Sequence, residues 1–396
     1  MKETKFKNTE IGKIPEEWKM YSIGKDCSVK ARIGWQGLRT SEYLQTGHYG
    51  LITSTDLIEG KVNWDTCVFV SEERYKQDTN IIVKNGDVLV SKDGTIGKVA
   101  VVSNLQYPTT LNSGVFVIRT KNEKITQEGL GLVFISPYFK DFIKRLTAGS
   151  TIVHLYQKDI VNFTFPIPTL PEQHRIASAI TSIDNLISSL GKLIEKKKNI
   201  KQGAMQQLLT GKTRLKGFNE PWVEKKLGEV CSVKRGVRVV KRNLTTDGLY
   251  PVYQNTNIPL GYSNQYNVEA NTPFVIIGGS AGQVGICRER YWAADDCAFF
   301  ACHDIYKEYL YYVLLLNQRN ILHNVRTGTI PRLDRTFLSG MLVYISSNIA
   351  EQQAIATILT KMDDEITALE AKKAKYEAIK QGMMQQLLTG KIRLIS

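Results

Sequence analysis

The sequence predicts an α+β protein made by duplication: two mixed α/β globules and two long helices, the helices pairing antiparallel as a two-stranded coiled coil. Three observations predict this. The stretch from Lys201 to Leu215 recurs from Lys380 to Leu394, changed only where Ala204 becomes Met383 and Thr213 becomes Ile392. A second repeat opens each half, where Trp18, Gly24 and Cys27-Ser28-Val29-Lys30 answer Trp222, Gly228 and Cys231-Ser232-Val233-Lys234. Between these repeats, apolar residues fall at heptad spacing in both copies.

The first globule is expected over residues 1–168. Its plainest feature is a strand at Asp87–Ser91, a glycine turn at Asp93–Lys98 and a strand at Val99–Val102, a hairpin with a glycine-rich crest. Gly114–Ile118 reads as a further strand. The first long helix is expected within 169–217. Thr169, with Glu172 three residues on, forms a capping-box pattern. Ile176, Ile180, Ile183, Ile187, Leu190 and Ile194 make the apolar seam. Gly211 stands where the helix stops on a left-handed residue. About 40 residues at 1.5 Å each give a helix about 60 Å long.

The second globule, 218–347, repeats the hairpin plan as Phe274–Ile277, Gly278–Gln283 and Val284–Ile286, followed by a strand at Ala298–Ala301. The second helix, 348–396, has Asn348 and Glu351 at its start, a seam of Ile355, Leu359, Met362, Ile366 and Leu369, and Gly390 at its stop. The copies are offset by 204 residues at the globule openings and by 179 at the helices, so the second globule is 25 residues shorter while the helices keep their length. A compact globule cannot carry the chain back along a 60 Å helix, so the helices must run antiparallel, with the globules at opposite ends.

Composition narrows the function. The 396-residue chain carries 52 Lys and Arg against 38 Asp and Glu, a formal charge of +14, which favours a polyanionic partner. No apolar run is long enough to cross a membrane, and the start (Met1-Lys2-Glu3-Thr4-Lys5) lacks the apolar core of a secretion signal, so a cytoplasmic protein without membrane partners is expected. Six scattered cysteines without a CxxC pair read as reduced thiols. Cys297, Cys302 and His303 lack a partner cluster for a metal.

Catalytic patterns fail on inspection. Gly211-Lys212-Thr213 resembles the end of a phosphate-binding loop, but Gln206 stands where that loop needs glycine and Ile392 replaces the threonine in the second copy. Gly94-x-x-Gly97-Lys98 is followed by a strand, not by the helix of a dinucleotide site. Asp184 with Glu195-Lys196-Lys197 falls on the heptad helix, as a solvated face. No amino-methyltransferase tetrad is present, and no histidine lies beside a Ser or Cys motif that would make it part of a nucleophile. A non-enzyme without cofactor or metal is expected, either a nucleic-acid reader or a protein-binding scaffold.

Ile14-Pro15-Glu16-Glu17-Trp18, Pro166-Ile167-Pro168-Thr169-Leu170-Pro171-Glu172-Gln173 and Gln206-Gln207-Leu208-Leu209-Thr210-Gly211-Lys212 together resemble the specificity (S) subunits of type I restriction-modification enzymes, over nearly the whole chain. The second copy departs from the pattern at Ile345–Ala350, which lacks the prolines of Pro166–Pro171. The resemblance implies that each globule is a target-recognition domain reading one half of a split site in double-stranded DNA. It also implies that the helices set the spacing and dock two methyltransferase subunits, which carry out methyl transfer, with restriction and motor subunits joining that core.

Base readout requires side chains such as Arg, Lys, Gln or Asn in the major groove. The expected contacts are Lys92 and Lys98 on the first crest, and Gln283, Arg288 and Arg290 assigned to the second. Two loops ahead of the helices, around Gly149, Ser150 and Thr151 and around Thr329 and Arg332, suit phosphate contact through amides and hydroxyls. Tyr43, Tyr49 and Tyr253 are expected to pack in the core, and Lys196–Lys198 to form a solvated or partner-docking strip.

Overall fold

The structure, a computed structural model, describes residues 4–148, 154–240 and 244–395. It divides into two compact units, Met1–Ser189 with Lys373–Ser396, and Leu190–Lys372.

In the first unit, a four-stranded antiparallel sheet has the order Val99–Val101, Val88–Ser91, Val115–Thr120, Cys27–Lys30, with Val90 opposite both Val99 and Phe116. Alternate side chains go to opposite faces of a strand. Val88, Val90, Phe116 and Ile118 pack under the helices Gln127–Ile135 and Pro137–Thr147. Leu89, Val115 and Val117 pack on the other face with Ile52 and Leu111. Those two residues belong to a three-stranded sheet in which Tyr49–Ile52 runs parallel to Thr109–Leu111 and antiparallel to Val68–Val70. Burial on both faces explains why the hairpin strand reads Val-Leu-Val-Ser, without polar alternation.

The second unit repeats the arrangement. Its sheet runs Val284–Ile286, Pro273–Ile276, Cys297–Cys302, Cys231–Arg235. Val275 and Phe300 pack toward the helix Lys307–Leu316, and Phe274 and Ile276 toward Tyr253 and Tyr291. A small sheet again has one parallel pair, Tyr250–Tyr253 with Trp292–Ala293. In each globule the entering strand pairs antiparallel with the leaving strand, Lys19–Ser22 with Thr164–Ile167 and Trp222–Lys226 with Leu342–Ser346.

The long helices span Leu170–Leu208 and Ile349–Leu387, 39 residues each. In the first unit Asp184 pairs with Lys380 at 2.7 Å and Glu172 with Arg393 at 2.6 Å, so the segments run antiparallel. In the second, Lys197 with Glu365 at 2.6 Å and Arg214 with Glu351 at 2.7 Å give the same sense. Of the eleven seam positions, Ile176, Ile180, Ile183, Leu190, Ile194, Ile355, Leu359 and Ile366 are buried; Ile187, Met362 and Leu369 are half-buried. Ile176 and Ile180 meet Leu387 and Leu388 in the first unit, and Ile355 and Leu359 meet Leu208 and Leu209 in the second. Gly211 and Gly390 have φ of 69° and 70°, as a left-handed stop requires. A Cβ on Gly390 would come within 2.4 Å of Pro15, and one on Gly211 within 3.2 Å of Trp222, so each helix end is covered by the opening segment of a globule.

The capping boxes are corrected by the structure. Asn348 caps its helix, accepting from the Ala350 and Glu351 amides through Oδ1. Glu172 and Glu351, however, do not reach back to the cap. Both are fully buried and spend their carboxylates elsewhere: Glu172 accepts from Trp18 Nε1 at 3.1 Å and from Arg393, and Glu351 accepts from Trp222 Nε1 at 3.2 Å, from Arg214 and from the Ser346 hydroxyl. A buried carboxylate is tolerated only when paired, and tryptophan and arginine supply that pairing in both copies. The junction without prolines gains a hydrogen bond that a proline could not make, from the Ser347 hydroxyl to the Pro221 carbonyl at 2.8 Å, while Gln352 Nε2 to the Ser346 carbonyl at 2.8 Å has its counterpart in Gln173 Nε2 to the Pro168 carbonyl at 2.9 Å.

Candidate nucleic-acid interface

The crest of each globule is a six-residue excursion closed by two backbone bonds. Gly97 N donates to the Ser91 carbonyl and Ser91 N to the Lys98 carbonyl; Gly282 N donates to Ile276 and Ile276 N to Gln283. Gly94 and Gly97 in the first crest, and Gly279 and Gly282 in the second, have φ between 67° and 86°, where a side chain would be strained. The matching bonds make Lys98 and Gln283 equivalent positions at the start of the returning strand.

Each crest is joined by the loop that precedes the long helix. In the first globule Asp93 bridges to His154 through the backbone and its carboxylate meets the imidazole Nδ1, and Leu155 N donates to the Lys92 carbonyl at 2.8 Å. In the second, Gly278 bridges to Arg332, Gly279 N donates to the Pro331 carbonyl at 3.2 Å and Leu333 N to Ile277 at 3.0 Å. Crest and pre-helix loop, separate in sequence, are one surface in both globules.

On that surface Lys98 and Gln283 are half-buried, and Thr329 and Arg332 are exposed. Lys92 lies half-buried with its ammonium 5.3 Å from the Phe116 ring centroid. Gln283 accepts from the Asn257 amide at 3.3 Å, and Arg332 reaches Asp296 at 3.3 Å. Gly149, Ser150 and Thr151 lie outside the described residues. The assignment of Arg288 and Arg290 to the crest is corrected: they follow the returning strand and stand at the opposite end of the hairpin, where Asn271 N donates to the Cys287 carbonyl. Both are committed to ion pairs, Arg288 with Asp364 at 2.6 Å and Arg290 with Glu269 at 3.0 Å, and those carboxylates raise the pKa of each guanidinium.

Sequence reasoning missed His154, Asp93 and Arg326. Arg326 is 82% exposed at the side chain and is tied to Arg332 by two backbone hydrogen bonds. An isolated bridge between six-residue neighbours carries no strand signal, so only the cation itself could have marked it. The tyrosines pack: Tyr253 against Phe274 and Tyr291, and Tyr49 stacked on Tyr75, while the Tyr43 hydroxyl meets Asn112. Lys197 and Lys198 pair with Glu365 and Glu370. Burial pushes the Cys302 thiol up to about 12 and raises Cys297 further, so both are held as neutral thiols. Among the described residues, no group of three or more His, Cys, Asp or Glu is placed to hold a metal, and no helix is long and apolar enough to cross a membrane.

Two copies of one mixed α/β domain, each with a glycine-crested hairpin joined to a pre-helix loop and each followed by a long heptad helix, define a duplicated protein that builds the same surface twice. Residues 15–202 and 219–381 match the family model for the type I restriction modification DNA specificity domain, and the chain belongs to that family. It is 28% identical over 218 residues to the type I restriction enzyme MjaVIII specificity subunit of Methanocaldococcus jannaschii, a match covering 54% of this chain and half the length of that relative. Similarity to the putative MjaX specificity subunit of the same organism, 23% over 431 aligned residues, covers 99% of this chain and 98% of the relative. The fold is similar to that of a type I S subunit from M. genitalium, with a TM-score of 0.69 and 16% identity over 93% of this chain and 96% of that one. It is also similar to a chain solved in work on complex assembly and conformational transition of the type I R-M system, with a TM-score of 0.55, 16% identity and coverage of 96% and 99%.

Proposed function

We propose that this chain is the non-catalytic, DNA-reading specificity subunit of a type I restriction-modification enzyme. Residues 1–168 read one half of a split target and 218–347 the other, while the helices within 169–217 and 348–396 set the spacing and dock two methyltransferase subunits. Restriction and motor subunits join that core in the cytoplasm, where the chromosome is. The observation that carries this reading is the repeated union of crest and pre-helix loop, which supports base reading by Lys98 in one globule and Gln283 in the other, with phosphate contact from the adjoining loop. The formal charge of +14 supports a polyanionic partner.

Selection from random duplex DNA by the chain with its genomically neighbouring methyltransferase is expected to enrich a bipartite motif with a fixed unspecified gap. Failure to enrich any motif, with the partner shown to be bound, favours a protein-binding scaffold. In the same selection, Lys98→Ala is expected to relax one half-motif and Gln283→Ala the other, each by roughly tenfold in discrimination, the low end of a bidentate base contact. Equal relaxation of both halves by either variant would contradict the one-globule, one-half assignment.

A further inference from the structure

The two copies differ at one place between globule and helix. The helices Gln127–Ile135 and Lys307–Leu316 are equivalent, because Thr126 N donates to Gln173 Oε1 at 2.8 Å as Tyr306 N does to Gln352 Oε1. Counting from these anchors, Gly131 and Leu132 stand where the second unit has Tyr311 and Tyr312. The equivalent hairpins put Ser103 where the second unit has Arg288.

In the second unit these larger residues close the space against the long helix. Tyr312, 2% exposed, donates from its hydroxyl to Asp363 Oδ2 at 2.8 Å and shares a hydrogen bond with Thr360 at 3.1 Å. Lys201 pairs with Asp363 Oδ1 at 2.5 Å and lies 5.5 Å from the Tyr312 ring centroid, and Arg288 seals the rim on Asp364.

In the first unit the same seat is built and open. A cleft of about 810 Å³ runs between the globule and the long helix, lined by Leu132, Thr181, Asp184, Asn185, Ser103 and Lys380 among others. Thr181, Asp184 and Asn185 are the heptad equivalents of Thr360, Asp363 and Asp364, and Lys380 is the equivalent of Lys201. Lys380 holds Asp184 Oδ1 at 2.7 Å, whereas Oδ2, the oxygen that takes the tyrosine in the other copy, has no hydrogen bond among the described residues. The floor is apolar, with Val99, Val101, Phe134 and Ile180. The charged lining balances, Glu59, Glu128 and Asp184 against Lys61, Lys140 and Lys380, which disfavours a polyanion such as DNA.

We propose that this cleft is the seat for a tyrosine side chain of a partner polypeptide, held by Thr181, Asp184 and Lys380 as Tyr312 is held by Thr360, Asp363 and Lys201. Because the second unit fills its own seat, the partner binds once per chain. It therefore differs in stoichiometry from subunits that dock alike on both halves.

The test uses the full chain with 13C-methyl methionine, since Met384 lines the cleft. N-acetyl-tyrosinamide is expected to shift the Met384 methyl and leave Met362 unmoved, with one site per chain. N-acetyl-phenylalaninamide is expected to bind about tenfold more weakly, having lost a hydrogen bond to a charged acceptor. Leu132→Tyr is expected to abolish the shift and raise Tm; Gly131 is avoided because a Cβ there would come within 2.9 Å of Val101. Thr181→Val, which keeps the volume, is expected to weaken the tyrosine probe and spare the phenylalanine probe. Equal affinity for both probes, or a shift that persists in Leu132→Tyr, overturns the proposal. Binding of para-cresol without N-acetyl-tyrosinamide would mean a free phenol and overturn the polypeptide source.

Discussion

Glu172→Gln is expected to destabilise the first unit by about 3 to 5 kcal/mol, the cost of removing one partner from a buried ion pair. The carboxylate is fully buried, and its partner Arg393 is only 5% exposed at the side chain, so when Glu172 loses its charge the guanidinium cannot turn to water and keeps only the exposed Glu17 carboxylate, at 2.9 Å. The Trp18 indole N–H loses its charged acceptor in the same step. At roughly 2 to 4 °C per kcal/mol for a unit of this size, thermal denaturation should show Tm lowered by about 10 °C. Glu351→Gln should cost less, because Arg214 is 30% exposed at the side chain and can recover hydration. A shift below about 2 °C for Glu172→Gln would show that Arg393 and Trp18 find other partners.

Insertion of one heptad after Leu190, matched by one after Leu369, is expected to lengthen the unspecified gap of the selected DNA motif while both half-motifs stay unchanged. Seven residues add about 10.5 Å of helix, and duplex DNA rises about 3.4 Å per base pair, so the gap should grow by about 3 base pairs. Both insertions are needed: one alone would shift Lys197, Lys201 and Arg214 out of register with Glu365, Asp363 and Glu351. An unchanged gap in the double insertion would remove the helices as the spacing device and leave DNA flexibility to set it.

The long helices and the crested hairpins were legible because their signals are local and occur twice. Heptad spacing, the stop glycines and the hydrophobic strands flanking a glycine turn each act over a few residues, and duplication separates them from chance. The small sheets with a parallel pair were not legible. Gly50 pairs with Thr109 and Val252 with Trp292 through strands of two to four residues, too short to show a period. The glutamates were misread because Thr169-x-x-Glu172 satisfies the capping-box spacing while the true partner, Arg393, lies 221 residues away. A signal was nonetheless present: tryptophan, glutamate and arginine keep their places in both copies, as Trp18, Glu172 and Arg393 and as Trp222, Glu351 and Arg214. The joining of crest to pre-helix loop rests on a few backbone bonds between segments without periodicity, and the assignment of Arg288 to the crest failed because charge was weighed without the direction of the returning strand.

The ion pair between Glu172 and Arg393 also has a consequence for synthesis. The second unit is one continuous stretch, Leu190–Lys372, whereas the first is closed by Lys373–Ser396. Translation proceeds from the N-terminus, so the globule made first is the last to be completed. Until Arg393 leaves the ribosome, Glu172 and Trp18 wait without their counter-ion and Ile176 and Ile180 without Leu387 and Leu388. A chain that stops early therefore keeps an intact second unit and an unfinished first one, with an apolar strip and an unpaired carboxylate for chaperones and proteases to recognise.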